Sequence, residues 1–159
     1  MTRTITVAPV RKTIRVKASP AHAFQVFTEG MSRWWPPSHT ILKVQPKEYI
    51  LEPRVGGRWY QTGIDGSECE TGKVLVWEPP AKLVLAWQIT PEWTYDPNLI
   101  TEVEVRFTDE GGGMTRVDLE HRNLERVGEN AEAIRASVDA PGGWSAILES
   151  FRMLASTGS

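Results

Sequence analysis

The chain has 159 residues, the length of one ordinary domain that buries its own apolar core without a disulfide or structural metal. Its 18 Lys and Arg against 20 Asp and Glu are interspersed, which excludes the basic footprint of a nucleic-acid binder. Cys69 is the one cysteine, so an intramolecular disulfide and a thiolate-cluster zinc site are both excluded, and a lone thiol suits the reducing cytoplasm.

Met1 to Pro9 lacks an apolar run of signal-peptide length, and no stretch approaches the ~18 consecutive apolar residues of a membrane span. We therefore expect a soluble, cytoplasmic protein. Val10 to Lys17 places Val10, Ile14 and Val16 on one parity, with Lys12 the exception, and reads as a short, partly buried strand. Ser19 then offers an N-cap with Pro20 at the first helical position. The helix runs to about Glu29, with Phe24 and Phe27 on its apolar face and Gly30 as its stop. Met31 to Trp35 reads as a second short helix ended by Pro36-Pro37.

The period then changes to that of strands. Lys43 to Leu51 is a weak candidate, Pro53 to Gly57 a turn, and Arg58 to Gly63 a strand leading into an Asp65-Gly66 hairpin. Glu68 to Trp77 follows, then Glu78-Pro79-Pro80 and a strand over Lys82 to Ile89 with Leu83, Leu85, Trp87 and Ile89 on one face. Pro91 to Asn98 is a loop carrying Trp93 and Tyr95. Leu99 to Thr108 directs Val103, Val105 and Phe107 one way, and Met114 to His121 does the same with Val117, Leu119 and His121. Such alternation predicts an antiparallel sheet with one wet face and one buried face that needs a cover. A short helix near Glu129 to Val138 precedes the Gly142-Gly143 bend. After it Trp144, Ile147, Leu148, Phe151 and Leu154 form a helical stripe that supplies the cover. The expected fold class is α+β, in one domain over 1–159 with its core at about 10–155.

Several of these segments together resemble a known family. They are Ala18-Ser19-Pro20 with Phe24, Phe27 and Trp34-Trp35; Glu52-Pro53-Arg54-Val55-Gly56-Gly57-Arg58-Trp59; Gly72 through Pro79-Pro80 to Leu83, with Trp87; and Gly142-Gly143-Trp144 with Leu148. The chain resembles the family named for the activator of heat-shock-protein-90 ATPase, within the START-like (SRPBCC, polyketide cyclase and lipid-transport) group, over about Val10 to Ala155. The resemblance implies a helix-grip fold, a curved antiparallel sheet wrapped around the long C-terminal helix. It transfers no catalytic set, and a fold of this kind does not dictate one function.

The residues offer few chemical constellations. There is no phosphate loop, since Gly111-Gly112-Gly113 sits between strands, and no nucleophile elbow. His22, His39 and His121 lack metal-ligand spacing, so no metal and no cofactor is expected. His121, by parity, points to the buried face; it is either a rim histidine satisfied locally or a group that meets a ligand or acts as a base. Asp65, Glu68, Glu70 and Glu102 are carboxylate candidates. Glu70 is a functional group if it points inward and a wet-face residue otherwise, its parity depending on a bulge at Gly72. Arg54 and Arg58 are either an anion clamp or surface ion pairs with Glu52.

Seven Trp are the unusual feature, because indoles make large apolar walls for concave sites. The expected ligand site comprises Trp35, Trp59, Trp87, Trp93, His121, Trp144, Leu148 and Phe151, with residues 91–98 as a lid. The function expected is binding of a small hydrophobic or aromatic molecule. The alternatives are a cofactor-independent cyclase or hydrolase in the same cavity, or a chaperone-interacting module. A homodimer is also expected as an option, on the argument that adjacent Trp34 and Trp35 cannot both point inward. No residue points to a chaperone partner.

Overall fold

The computed structural model describes residues 8–36, 44–90 and 94–157. In chain order these form β1 (Val10–Val16), α1 (Pro20–Thr28), α2 (Met31–Trp34), β2 (Pro46–Leu51), β3 (Arg58–Gly63), β4 (Glu68–Glu78), β5 (Lys82–Trp87), β6 (Thr101–Gly111), β7 (Met114–Arg122), α3 (Ala131–Asp139) and α4 (Ala146–Thr157). The seven strands make one curled antiparallel sheet in the order β1-β7-β6-β5-β4-β3-β2. Six consecutive strands form a meander, and β1 adds at the β7 edge. Because β1 and β2 lie at opposite edges, the connection carrying α1 and α2 must span the sheet. The apolar cluster runs from Val10 to Ala155, and α4 packs on α1, α2 and β1 inside the curl. This is the helix-grip arrangement.

Local chemistry accounts for the elements. Ser19 caps α1 by accepting the His22 N–H at 3.2 Å, and Pro20 occupies the first turn, where no intrahelical partner for its nitrogen is needed. The Asp65-Gly66 turn is closed by the Asp65 carboxylate, which accepts from the Ser67 N–H (3.0 Å) and hydroxyl (2.6 Å); the Ser67 bonds hold this carboxyl below its ordinary range. β6 and β7 alternate as their sequences demand, with Val103, Val105, Phe107, Val117 and Leu119 buried. β5 departs from alternation. It is the central strand, and Val84 and Ala86 are buried as well as Leu83, Leu85 and Trp87.

Several boundaries differ from expectation. β5 ends at Trp87, and Ile89 instead makes an isolated bridge to Tyr95. The residue 124–130 segment is a tight 3-10 turn before α3, and a single wide turn over Pro141–Ser145 precedes α4. The premise about the tryptophan pair is corrected too. Trp34 and Trp35 are only 2% and 5% exposed. Trp34 closes α2 while Trp35 adopts an extended backbone (φ −66°, ψ 124°), so the chain turns between them and both indoles reach the interior.

Two aromatic groups fill that interior. Phe24, Phe27, Phe107, Phe151, Trp34 and Trp77 interlock at centroid separations of 5.0 to 5.9 Å, mostly edge to face. Trp34 meets Trp35 at 5.7 Å, and Trp35 opens the second group.

Candidate functional site

Four indoles close a ring. Trp35 contacts Trp59 at 5.8 Å, Trp59 contacts Trp87 at 5.7 Å, Trp87 contacts Trp144 at 5.7 Å, and Trp144 returns to Trp35 at 6.2 Å. They come from the end of α2, from β3, from β5 and from the turn before α4, so distant parts of the chain converge on one spot. His121 of β7 joins the ring through Trp87 (5.6 Å) and Trp144 (5.9 Å).

Sheet register explains how Trp59 and Trp87 meet. Trp59 of β3 pairs with Gly72 of β4, which pairs with Trp87 of β5. A Cβ at position 72 would lie 1.6 Å from the Ala86 carbonyl oxygen and 3.4 Å from the Trp59 ring. Glycine is required there. The strand register slips beside it, between Trp59 and Tyr60, leaving Thr71 as the extra residue of a bulge. Gly143 does the equivalent for Trp144, since a Cβ would approach the Val138 oxygen to 2.3 Å. The backbone crossing at Gly143 aims the Trp144 indole at the sheet.

His121 has no solvent exposure. It is not at a rim, as one reading of its position expected. Trp144 Nε1–H donates to His121 Nδ1 at 3.1 Å, and an indole nitrogen can only donate, so Nδ1 carries no proton. The neutral imidazole is therefore the Nε2–H tautomer, which donates to Thr101 Oγ at 2.8 Å. The Thr101 hydroxyl passes its own hydrogen to the Trp87 carbonyl at 3.0 Å. Every donor in this chain from Trp144 to Trp87 has one acceptor. Burial pushes the His121 pKa down to about 3, so the group stays neutral at ordinary pH.

The other indole donors divide unequally. Trp34 Nε1–H bonds the Val26 carbonyl (2.8 Å), and Trp59 Nε1–H points to the Met31 sulfur (3.2 Å). Trp87 Nε1–H is buried and, among the described residues, has no acceptor.

The structure thus brings together Trp35, Trp59, Trp87, Trp144 and His121. Phe151 lies in the other aromatic group, against Phe27 and Trp34, and Leu148 is buried in the same core. Trp93 and His39 lie outside the described residues. Residues 94–98, placed in the expected lid, are tied down. Thr90 N–H reaches the Thr94 carbonyl, Asp96 N–H the Gln88 carbonyl, and the buried Gln88 amide the Pro97 carbonyl.

The carboxylate and arginine candidates are surface groups. Glu70 is half-buried and bonded to Arg58, which also pairs with Glu68 at 2.8 Å and covers the Tyr60 ring at 3.8 Å. Glu52 pairs with Arg54 at 3.0 Å but meets Arg58 only through the backbone N–H, at 2.7 Å. Glu102 pairs with Arg122, which also holds Glu104. Burial opposes ionisation of Glu104, yet Arg106 and Arg122 keep its pKa below the ordinary value. Near the 94–98 segment, burial first and then the Glu70 and Asp96 charges push the Tyr95 phenol up.

Sequence reasoning missed Thr101, and took Gly72 only as a possible bulge rather than as the close approach of β4 to β5. Thr101 shares the parity of Val103, Val105 and Phe107, and a hydroxyl on an otherwise apolar strand face was the available signal.

The family profile described as "Activator of Hsp90 ATPase homolog 1-like protein" matches residues 17–156. Among solved structures, an anthrahydroquino-γ-pyrone synthase, Txn09, is 40% identical, with 93% of this chain and 97% of that one covered at a TM-score of 0.66. CalC, a self-sacrificing resistance protein from Micromonospora echinospora, is 34% identical, with 93% and 94% covered at a TM-score of 0.70. The Aha1 dimer from Colwellia psychrerythraea, 17% identical with 96% and 99% covered and a TM-score of 0.60, shares the fold. No curated protein sequence matches the chain. The chain belongs to the Activator of Hsp90 ATPase homolog 1-like family of the START-like group.

Proposed function

We propose that this protein binds a small hydrophobic or aromatic molecule between the concave face of the sheet and α4, at the four indoles. The observation that carries the reading is the closed contact of Trp35, Trp59, Trp87 and Trp144 on a neutral His121. An apolar aromatic wall with few placed polar atoms is the usual chemistry of a small-molecule site. The likeness to a synthase of an anthrahydroquino-γ-pyrone, at 40% identity, supports an aromatic ligand. Leu148 and Phe151 act in this reading as the packing beneath the wall, and Trp93 as part of its cover. Trp93→Ala should weaken binding with little loss of melting temperature.

That same likeness favours a second reading, a cofactor-independent cyclase-type enzyme in the same site. It needs an acid–base pair, and His121 is bonded to Thr101 and Trp144 rather than to a carboxylate. The family description favours a third, a chaperone-interacting module.

Native mass spectrometry of freshly purified protein, compared with the denatured mass, tests the first reading. An added mass of about a few hundred daltons, fitting an ordinary pocket, supports it and supplies the molecule. A bare native mass, together with no uptake of polycyclic aromatic probes by dialysis, overturns it and favours the chaperone module.

A further inference from the structure

Trp87 is 8% exposed, and among the described residues its Nε1–H has no acceptor. It sits against three rings, Trp59 at 5.7 Å, Trp144 at 5.7 Å and His121 at 5.6 Å. Among the described residues, the polar atoms of its ring neighbours and its own carbonyl are already engaged. His121 Nδ1 takes the Trp144 N–H, His121 Nε2 carries its own hydrogen to Thr101, and the Trp87 carbonyl takes the Thr101 hydroxyl. Trp59 and Trp144 offer only donors, and both are directed elsewhere. A buried donor without a partner carries most of its desolvation cost, and native proteins tolerate few of them without a functional cause.

We propose that Trp87 Nε1–H is the donor that selects ligands in this site, and that the ligand class is an aromatic molecule bearing a neutral hydrogen-bond acceptor, a ring carbonyl or an ether oxygen. The inference rests on the aromatic-binding reading and makes it more specific. A hydrocarbon of the same shape leaves the donor unpaired. A free hydroxyl as the sole polar group fits less well than a carbonyl, because its hydrogen would find the local acceptors occupied. The ordered chain through His121 gives the selection its rigidity, since Thr101 and Trp144 hold the imidazole in one tautomer and prevent it from turning to take the Trp87 hydrogen itself.

The probe pair is 9-fluorenone and fluorene, nearly isosteric tricycles that differ in a carbonyl against a methylene. Binding to the intact protein is measured for both by equilibrium dialysis, in wild type and in Trp87→Phe. The expected result is a preference for 9-fluorenone of about tenfold in wild type, the ratio that one recovered buried hydrogen bond gives, falling to within about twofold in the variant. In 15N-Trp-labelled wild type, one indole N–H resonance should move downfield with 9-fluorenone and stay in place with fluorene. That spectrum decides the matter if Trp87→Phe does not fold. Equal affinity of wild type for the two probes, with no indole shift, overturns the donor role while leaving the aromatic site standing. A preference retained in Trp87→Phe also overturns it. Failure of wild type to bind either probe overturns the aromatic-binding reading and this inference with it.

Discussion

Trp144 Nε1–H donates to His121 Nδ1 across 3.1 Å, joining the turn before the gripping helix to the last strand of the sheet. The bond does two things at once. It satisfies an indole donor inside an apolar core, and it dictates which imidazole nitrogen holds the proton.

His121 makes stability depend on pH in one direction. Its folded pKa is depressed to about 3 by burial, while in the unfolded chain it protonates near the ordinary 6.5. Between these values the unfolded chain binds more protons, so the contribution is complete above about pH 6.5 and is lost as pH falls toward 3. Urea unfolding of wild type and His121→Gln at pH 7.5, 5.5 and 4.5 checks it. The stability difference between them should shrink by about 1.4 kcal/mol per pH unit below 6. A difference that stays constant across the series contradicts the neutral, buried assignment.

The tautomer is open to direct observation. In 15N spectra His121 should give the Nε2–H pattern from pH 5 to 8, with no change of charge state. Trp144→Phe removes the donor to Nδ1 and leaves a smaller ring, for a stability loss of about 3 kcal/mol. In that variant the Nδ1–H and Nε2–H forms should mix. An unaltered spectrum would mean that Thr101 alone orders the imidazole.

Two glycines should be intolerant and a neighbour tolerant. Gly72→Ala would drive its Cβ to 1.6 Å from the Ala86 oxygen, and Gly143→Ala to 2.3 Å from the Val138 oxygen. In both cases the obstacle is backbone, which cannot swing aside. Each should cost about 3 kcal/mol or more. Gly142→Ala meets nothing within 4 Å and should change stability by less than about 1 kcal/mol. Thermal unfolding of the three variants separates them; similar losses for Gly142→Ala and Gly143→Ala would remove the close-approach argument.

The start of α1 rests on one side-chain bond. Ser19→Ala deletes the acceptor of the His22 N–H and should lower stability by about 1 kcal/mol, with Ser19→Asp restoring it. Chemical denaturation reads both. No loss in the alanine variant would show that Pro20 and the tertiary contacts of Phe24 and Phe27 hold this helix end without its cap.

Much of the architecture could be read from residue order, because its causes are local. Val103, Val105 and Phe107 alternate with Glu102, Glu104 and Arg106, and a pleated strand must put them on opposite faces. Trp144, Ile147, Leu148 and Phe151 recur at helical spacing, and Ser19-Pro20 and Asp65-Gly66 carry their cap and turn chemistry within a few residues. These rules yield strands, helices, an antiparallel meander and the need for a helical cover. Trp35, Trp59, Trp87 and Trp144 were expected together as the lining of one ligand site, but which indole meets which was not legible.

Their contacts were decided in three dimensions. Whether Trp59 touches Trp87 depends on the register that sets Gly72 between them, and register is a relation between strands that no single strand encodes. That Trp34 and Trp35 both turn inward depends on one extended residue after α2. That His121 is a sealed, neutral acceptor rather than a rim base depends on Trp144, 23 residues away, and Thr101, 20 residues away. Periodicity specifies the face on which a side chain stands; the partner it meets there, and hence its protonation and its chemistry, is specified by the packing of segments that are remote in the chain.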